Sequence, residues 1–237
     1  MSVLSKPEII KHYKAGNVII DPFNPDNLSN TSYDVRLGMY FYRQLSPEHS
    51  QIFNPFYKES MEKMYAKVEE ATPVKELKSK INPFYNLNPS DRVILVAPNE
   101  TILAHTIEFI GGRNGTEELP AITTEMRARS SIGRIGIAVC KCAGWGDIGY
   151  INRWTMEITN FSSSTIPLPV GLRIAQIIFH EVVHVDLKDE YSIKGKYQTS
   201  FDVKALKKEW KPYDMLPKLY KDRDLGKFKN YCKEFKK

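Results

Sequence analysis

From Arg92 to Leu187 the chain is a succession of short apolar runs broken at close intervals by turn-forming residues, and no other feature limits its fold as much. The runs are RVILVA, TILAHTIEFI, AITTEMRA, RIGIAVC, WTMEITN and LRIAQIIF continuing through VVHVDL, with Pro, Gly, Asn and Ser between them. Tyr33-Asp34-Val35-Arg36-Leu37-Gly38 adds the polar/apolar alternation of a half-buried strand. Short, evenly spaced strands with this punctuation predict a mainly β fold, a distorted β-barrel or jelly roll.

Helix is expected in three places only. Ser5, Pro7 and Gly16 bracket a short capped helix at the start, residues 57–69 have helix-forming composition, and the C-terminal tail is the third. The expected organisation is one domain over residues 1–202, with an insertion at about 46–90, followed by a basic helical extension over 203–237. A chain of 237 residues can bury a core without disulfide help.

The formal charge of +6 is concentrated after Lys204, where lysines far outnumber acidic residues. Such a run most often means a solvated helical appendage, and a nucleic-acid or partner surface is the alternative. No stretch is apolar enough to span a membrane, and the first residues lack the apolar core of a signal peptide, so a cytoplasmic protein is expected. Cys140, Cys142 and Cys232 do not form a secreted disulfide framework. Cys140 and Cys142 read as two small side chains on a strand.

His180-Glu181-Val182-Val183-His184 matches the zinc-protease pattern letter for letter. That chemistry needs a helix, which turns residues i and i+4 toward one metal. Within IIFHEVVHVDL the period is two, and on a strand residues four apart lie ~13 Å apart. Two histidines at that distance cannot share a zinc ion.

Three other segments carry chemical residue types. Arg129-Ser130-Ser131 and Arg134 gather charge-assisted donors and hydroxyls at a turn after a strand, suited to phosphate. Ala143 to Tyr150 reads as a glycine-rich hairpin that leads into Glu157, whose side chain points away from Met156 and Ile158. The third is PVGLRIAQ at 169–176, followed by Tyr191 and by Gly195-Lys196-Tyr197-Gln198.

Taken in order, these segments resemble the dCTP deaminase family of the dCTP deaminase/dUTPase superfamily. RSSIGRIG at 129–136 matches the family's Arg-Ser-Ser segment, and Glu157 follows Arg134 by the family's 23 residues. Asp147, Gly149 and Tyr150 fall on its hairpin, Asn160 on its strand-end Asn, and residues 195–198 on its C-terminal motif. The likeness covers roughly residues 5–200. The hairpin departs from the family pattern at Gly146-Asp147-Ile148-Gly149 and at Asn152-Arg153, and Thr199-Ser200 stand where the family has Gly-Gln.

The resemblance implies a dUTPase-like (β-clip) subunit in a homotrimer, with sites between subunits. It implies hydrolytic deamination of dCTP to dUTP without zinc, with Mg²⁺ carried by the triphosphate. Glu157 would be the base and proton shuttle, Ser130 and Arg134 its orienting partners, and main-chain atoms at Ala143 would hold the water. Arg129, Ser131, Gln176 and Lys196 would face the phosphates, Asp147 the 3′-hydroxyl and Tyr150 the sugar. Thr155, Met156, Tyr191 and Gln198 complete the implied substrate contacts. Related dUTPases carry an apolar residue at the position of Glu157, so a dUTPase alone is disfavoured: deamination needs a carboxylate that moves protons. The alternatives are a bifunctional enzyme that continues to dUMP, or a non-catalytic nucleotide-binding protein on the same fold.

Overall fold

The computed structural model describes residues 2–45, 52–65, 67–77, 84–116, 118–183, 186, 190–198 and 200–228. In chain order the elements begin with β1 (Ser2–Val3), α1 (Lys6–Lys14), β2 (Val18–Asp21) and β3 (Tyr33–Arg43). The insertion holds α2 (Lys58–Met64), β4 (Glu69–Glu70) and β5 (Thr72–Pro73). The main β run gives β6 (Arg92–Val96), β7 (Thr101–Gly112), β8 (Ala121–Ala128), α3 (Ser130–Arg134), β9 (Ile137–Ala138) and β10 (Trp145–Gly146). After these come β11 (Ile151–Asn160), β12 (Ile166–Pro169), β13 (Arg173–Val182), α4 (Tyr191–Lys194) and α5 (Val203–Glu209).

Among the described residues the fold is mainly β, as expected. One sheet runs β10-β8-β13-β3-β7-β11-β9, with β1 on β13, β2 on β7 and β4 on β3; a smaller one runs β12-β6-β5. The large sheet curls because β3 changes partner along its length. Tyr33–Arg36 pairs with β13, and Leu37–Arg43 pairs with β7 through a register shift. Such irregularities bend a strand and increase its twist, which folds one half of the sheet over the other.

The enclosed core follows the period of two. In β11, Trp154, Met156 and Ile158 are buried, whereas Arg153, Thr155 and Glu157 between them are partly exposed on the other face. Val35, Leu37, Ile102, Ile174 and Phe179 fill the same core. A fully buried side chain such as Phe179 contributes about 1.5–3 kcal/mol over its exposed state. Gly38 is required by close approach: a Cβ there would lie 2.1 Å from Cε1 of His105.

Two expectations about local structure change. RIGIAVC is not one strand; Ser130–Arg134 is a helical turn, Gly136 takes φ +85°, and only Ile137–Ala138 pairs. Cys140 and Cys142 therefore sit in a turn, Cys140 buried and Cys142 exposed. The helix of the insertion is shorter than residues 57–69, because Tyr65 leaves α2 in an extended conformation.

Residues 203–228 of the basic segment are not a solvated appendage. Leu206, Trp210, Met215 and Leu216 alternate with its lysines and pack onto the outer face of β7 and β11. Pro212 and Pro217 break the helix, so α5 gives way to 3₁₀ turns at Pro212–Met215 and Leu219–Lys221. Arg153 anchors it: the guanidinium lies 4.7 Å from the ring centre of Trp210 and 5.1 Å from that of Phe109. This departure from the family hairpin thus has a packing role here. Residues 229–237, with Cys232, lie outside the described residues.

Candidate active site

A cavity of about 360 Å³ opens on the outer face of β11, a size within the range of small-molecule sites. Glu157 lies at its wall, opposite Leu103 in the β7–β11 register. Carboxylate oxygen Oε2 of Glu157 is buried without a hydrogen-bond partner. Burial holds the carboxyl above the usual carboxylate range, partly opposed by its own main-chain N–H and by Lys141. A carboxyl tuned upward in this way suits general acid–base work.

The hairpin after β10 brings the next residues in. Gly149 takes φ +87° and donates its N–H to the carbonyl of Gly112 at 2.9 Å. Gly111 leaves room for this approach, since a Cβ there would meet the carbonyl oxygen of Tyr150 at 2.0 Å. Asp147 and Tyr150 thereby reach the cavity, with Ala143 beside them. The Tyr150 ring packs edge-on against Trp154 and Tyr191 at 5.3 and 5.0 Å. Burial pushes both phenols up, Tyr191 to about 12, so both stay protonated donors near neutral pH.

Six of the expected residues, Glu157, Ala143, Asp147, Tyr150, Thr155 and Tyr191, therefore line one cavity. Met156 does not: its side chain is wholly buried in the core behind β11, leaving main-chain atoms to any ligand. Gln198 is a buried brace rather than an open contact. Its Oε1 accepts from the N–H of Ile151 at 2.7 Å, and its Nε2 donates to the carbonyls of Gly149 and Ser200, each at 2.9 Å. Lys196 is ion-paired to Asp222 at 2.9 Å.

The remaining expected residues form a second group away from the cavity. Ser130, Ser131 and Arg134 are exposed on α3. Arg129 lies 3.2 Å from Oδ2 of buried Asp34, which also meets Arg173 at 3.2 Å. Gln176 sits opposite Asp34 in the β13–β3 register and accepts from the hydroxyl of Ser32 at 3.4 Å. The exposed guanidinium of Arg134 and the two serine hydroxyls are donors of the kind that receive an anion, whereas Arg129 and Arg173 share the Asp34 carboxylate.

Other cavity residues escaped the sequence reading: Tyr65 from the insertion, Leu103 from β7, and Trp210, Met215 and Pro217 from the C-terminal segment. The lone clue was the placement of large apolar residues among the lysines of 203–221. His180 and Glu181 lie on strand β13 as expected; His180 meets Glu125 at 3.3 Å, and Glu181 accepts from the hydroxyl of Ser2. His184 lies outside the described residues. Among the described residues no group of three His, Cys, Asp or Glu is arranged to hold a metal ion, and no helix is long and apolar enough to cross a membrane.

A curled antiparallel sheet carrying a cavity lined by Glu157 and by a glycine-bent hairpin, with an exposed serine- and arginine-bearing turn apart from it, defines a β-fold protein with a small-molecule cavity. The chain belongs to the dCTP deaminase-like family, whose model matches residues 3–182. It is 27% identical over 201 residues to "dCTP deaminase, dUMP-forming" of Methanopyrus kandleri, covering 83% of this chain and 91% of that one. A protein of the same name from Bifidobacterium longum is 28% identical over 184 residues, 76% of this chain and 79% of its own. The crystal structure of 2′-deoxycytidine 5′-triphosphate deaminase from Agrobacterium tumefaciens shares the fold, with TM-score 0.50 and 14% identity over 76% of this chain. That match spans about half, 48%, of the length of the Agrobacterium chain.

Proposed function

We propose that this protein deaminates dCTP hydrolytically and carries the product on to dUMP. The single observation that carries the deamination is a buried carboxylate oxygen without a partner, Oε2 of Glu157, on a residue that lines a cavity large enough for a nucleoside. Glu157 takes a proton from water, and the resulting hydroxide adds to C4 of cytosine as the proton passes to N3. The carboxylate then takes the proton of the new C4 hydroxyl and delivers it to the amino group, which leaves as ammonia as the C4–N bond breaks and the C4 carbonyl of dUTP forms. The raised affinity of the buried carboxyl for protons suits both halves of this exchange.

The sequence alone predicts dUTP as the final product. The "dUMP-forming" name of the relatives supports the further step, in which water attacks the α-phosphorus and diphosphate leaves. Asp147 and Gln176 are compatible with it. Mg²⁺ belongs to this reading as part of the substrate, bound to the triphosphate, and no zinc is invoked.

The separation of the two residue groups supports a site shared between copies, in a homotrimer. In this reading the exposed Ser130 and Arg134 of one copy orient Glu157 and the base in the next. Arg129, Ser131, Gln176 and Lys196 serve the phosphates, Asp147 the 3′-hydroxyl, and Tyr150 and Thr155 the sugar and base edge. A cytoplasmic location accords with substrates drawn from the nucleotide pool.

The test is Glu157→Gln, assayed for turnover and for nucleotide binding. Turnover is expected to disappear with binding kept within a few-fold. Loss of both together would remove Glu157 from the proton-shuttle role.

A further inference from the structure

The cavity wall facing Glu157 is built by chain segments that the family motifs do not include. Tyr42 on β3 pairs with Leu103 on β7, and Leu103 pairs with Glu157 on β11, so these three side chains form one cross-strand row on the outer face. Tyr65 covers that row. Its ring packs edge-on against Tyr42 at 6.4 Å between centres, and its main chain bridges Gln44 at the end of β3.

The C-terminal segment fixes this cover from outside. Met215 and Leu216 are buried in one cluster with Tyr42, Met61 and Leu103, and Tyr65 and Trp210 pack against it. Tyr213 donates its hydroxyl to Glu62 of α2, tying the segment to the insertion. Tyr65 and Glu157 thus line one cavity, and Oε2 of Glu157 is buried there without a hydrogen-bond partner.

We propose that Tyr65 is a positioning residue for Glu157, linked to its carboxyl by a hydrogen-bonded water, and that the insertion is therefore part of the active site. The proposal rests on the role given to Glu157 above. Two features accord with the contact. Burial, then the charges of Glu157 and Tyr197, push the Tyr65 phenol up, so it remains a proton donor at neutral pH. The phenol and the carboxylate are also the kind of pair that one bridging water satisfies at little cost.

The experiment compares the full chain with Tyr65→Phe, which keeps the packed ring and removes only the hydroxyl. Two readouts are taken: kcat for dCTP against pH, and the titration of the Glu157 carboxyl followed by ¹³C NMR without nucleotide. A hydrogen bond to the charged form favours that form, so its loss should raise the Glu157 titration midpoint by roughly one pH unit and carry the acidic limb of kcat with it. The plateau value of kcat should fall about tenfold, with KM within about twofold. An unmoved carboxyl titration overturns the proposal, whether or not kcat falls, because a merely structural loss would lower kcat alone. If the wild-type protein does not turn over dCTP, the deaminase reading fails by itself, and the titration still decides whether the Tyr65 hydroxyl is linked to Glu157.

Discussion

The ammonium of Lys196 lies 2.9 Å from a carboxylate oxygen of Asp222, which joins the motif at 195–198 to the C-terminal segment. The Lys196 hydrogen bond is the main cause that holds the Asp222 carboxyl below its usual range. A triphosphate reaching Lys196 must displace this carboxylate. Asp222→Asn should therefore tighten nucleotide binding by about two- to fivefold at low salt, the effect of one exposed pair. Titration calorimetry at low and high salt checks this, and the gain should shrink as salt screens the pair.

Glu157 should cost the fold stability in return for its chemistry. Burial raises its carboxyl above the unfolded value, so the unfolded chain ionises first as pH rises. The penalty is absent below the ordinary carboxylate range and fully present above the raised one. Glu157→Gln should thus raise Tm near neutral pH and leave it nearly unchanged near pH 4. Calorimetric scans at the two pH values are sufficient.

His105 reports on the docking of the C-terminal segment. Its ring lies 4.7 Å from that of Trp210, accepts from the N–H of Tyr40 at Nε2, and donates from Nδ1 to the carbonyl of Thr106. Both nitrogens are used by the neutral ring, and burial lowers the pKa to about 4. Stability from this group is complete above about pH 6.5, where the unfolded histidine is neutral too, and is lost as pH falls toward 4. Tm should therefore drop across that window, with Trp210 fluorescence changing early, and a neutral isostere such as His105→Gln should flatten the dependence.

If each site draws on two copies, two inactive variants can repair one another. Arg134→Ala and Glu157→Gln should each be inactive alone, and co-refolding them should restore up to about a quarter of wild-type turnover by random assortment. No recovery in co-refolded mixed assemblies would place both residues' functions within one copy.

The parts of this molecule legible in its sequence are those set by local pattern. Alternation announced the strands, and the isolated Glu157 between Met156 and Ile158 gave its own orientation, because a strand turns neighbours to opposite faces. The same rule could have excluded the Met156 side chain from the site, since it must share the core with Ile158. Tyr65, Trp210 and Met215 could not be found this way. Their positions depend on packing between segments more than a hundred residues apart, for which composition holds no register. The run of lysines hid that packing: Leu206 and Met215 are buried while neighbouring Lys204 and Lys208 face solvent.

Deamination followed by diphosphate release is tested by incubating the purified protein with dCTP and Mg²⁺ and separating the products by anion-exchange chromatography. The expected products are dUMP, diphosphate and ammonia in equal amounts, with dUTP at most a transient. Accumulation of dUTP that is never consumed would contradict the second step, and recovery of unchanged dCTP would contradict the enzyme itself.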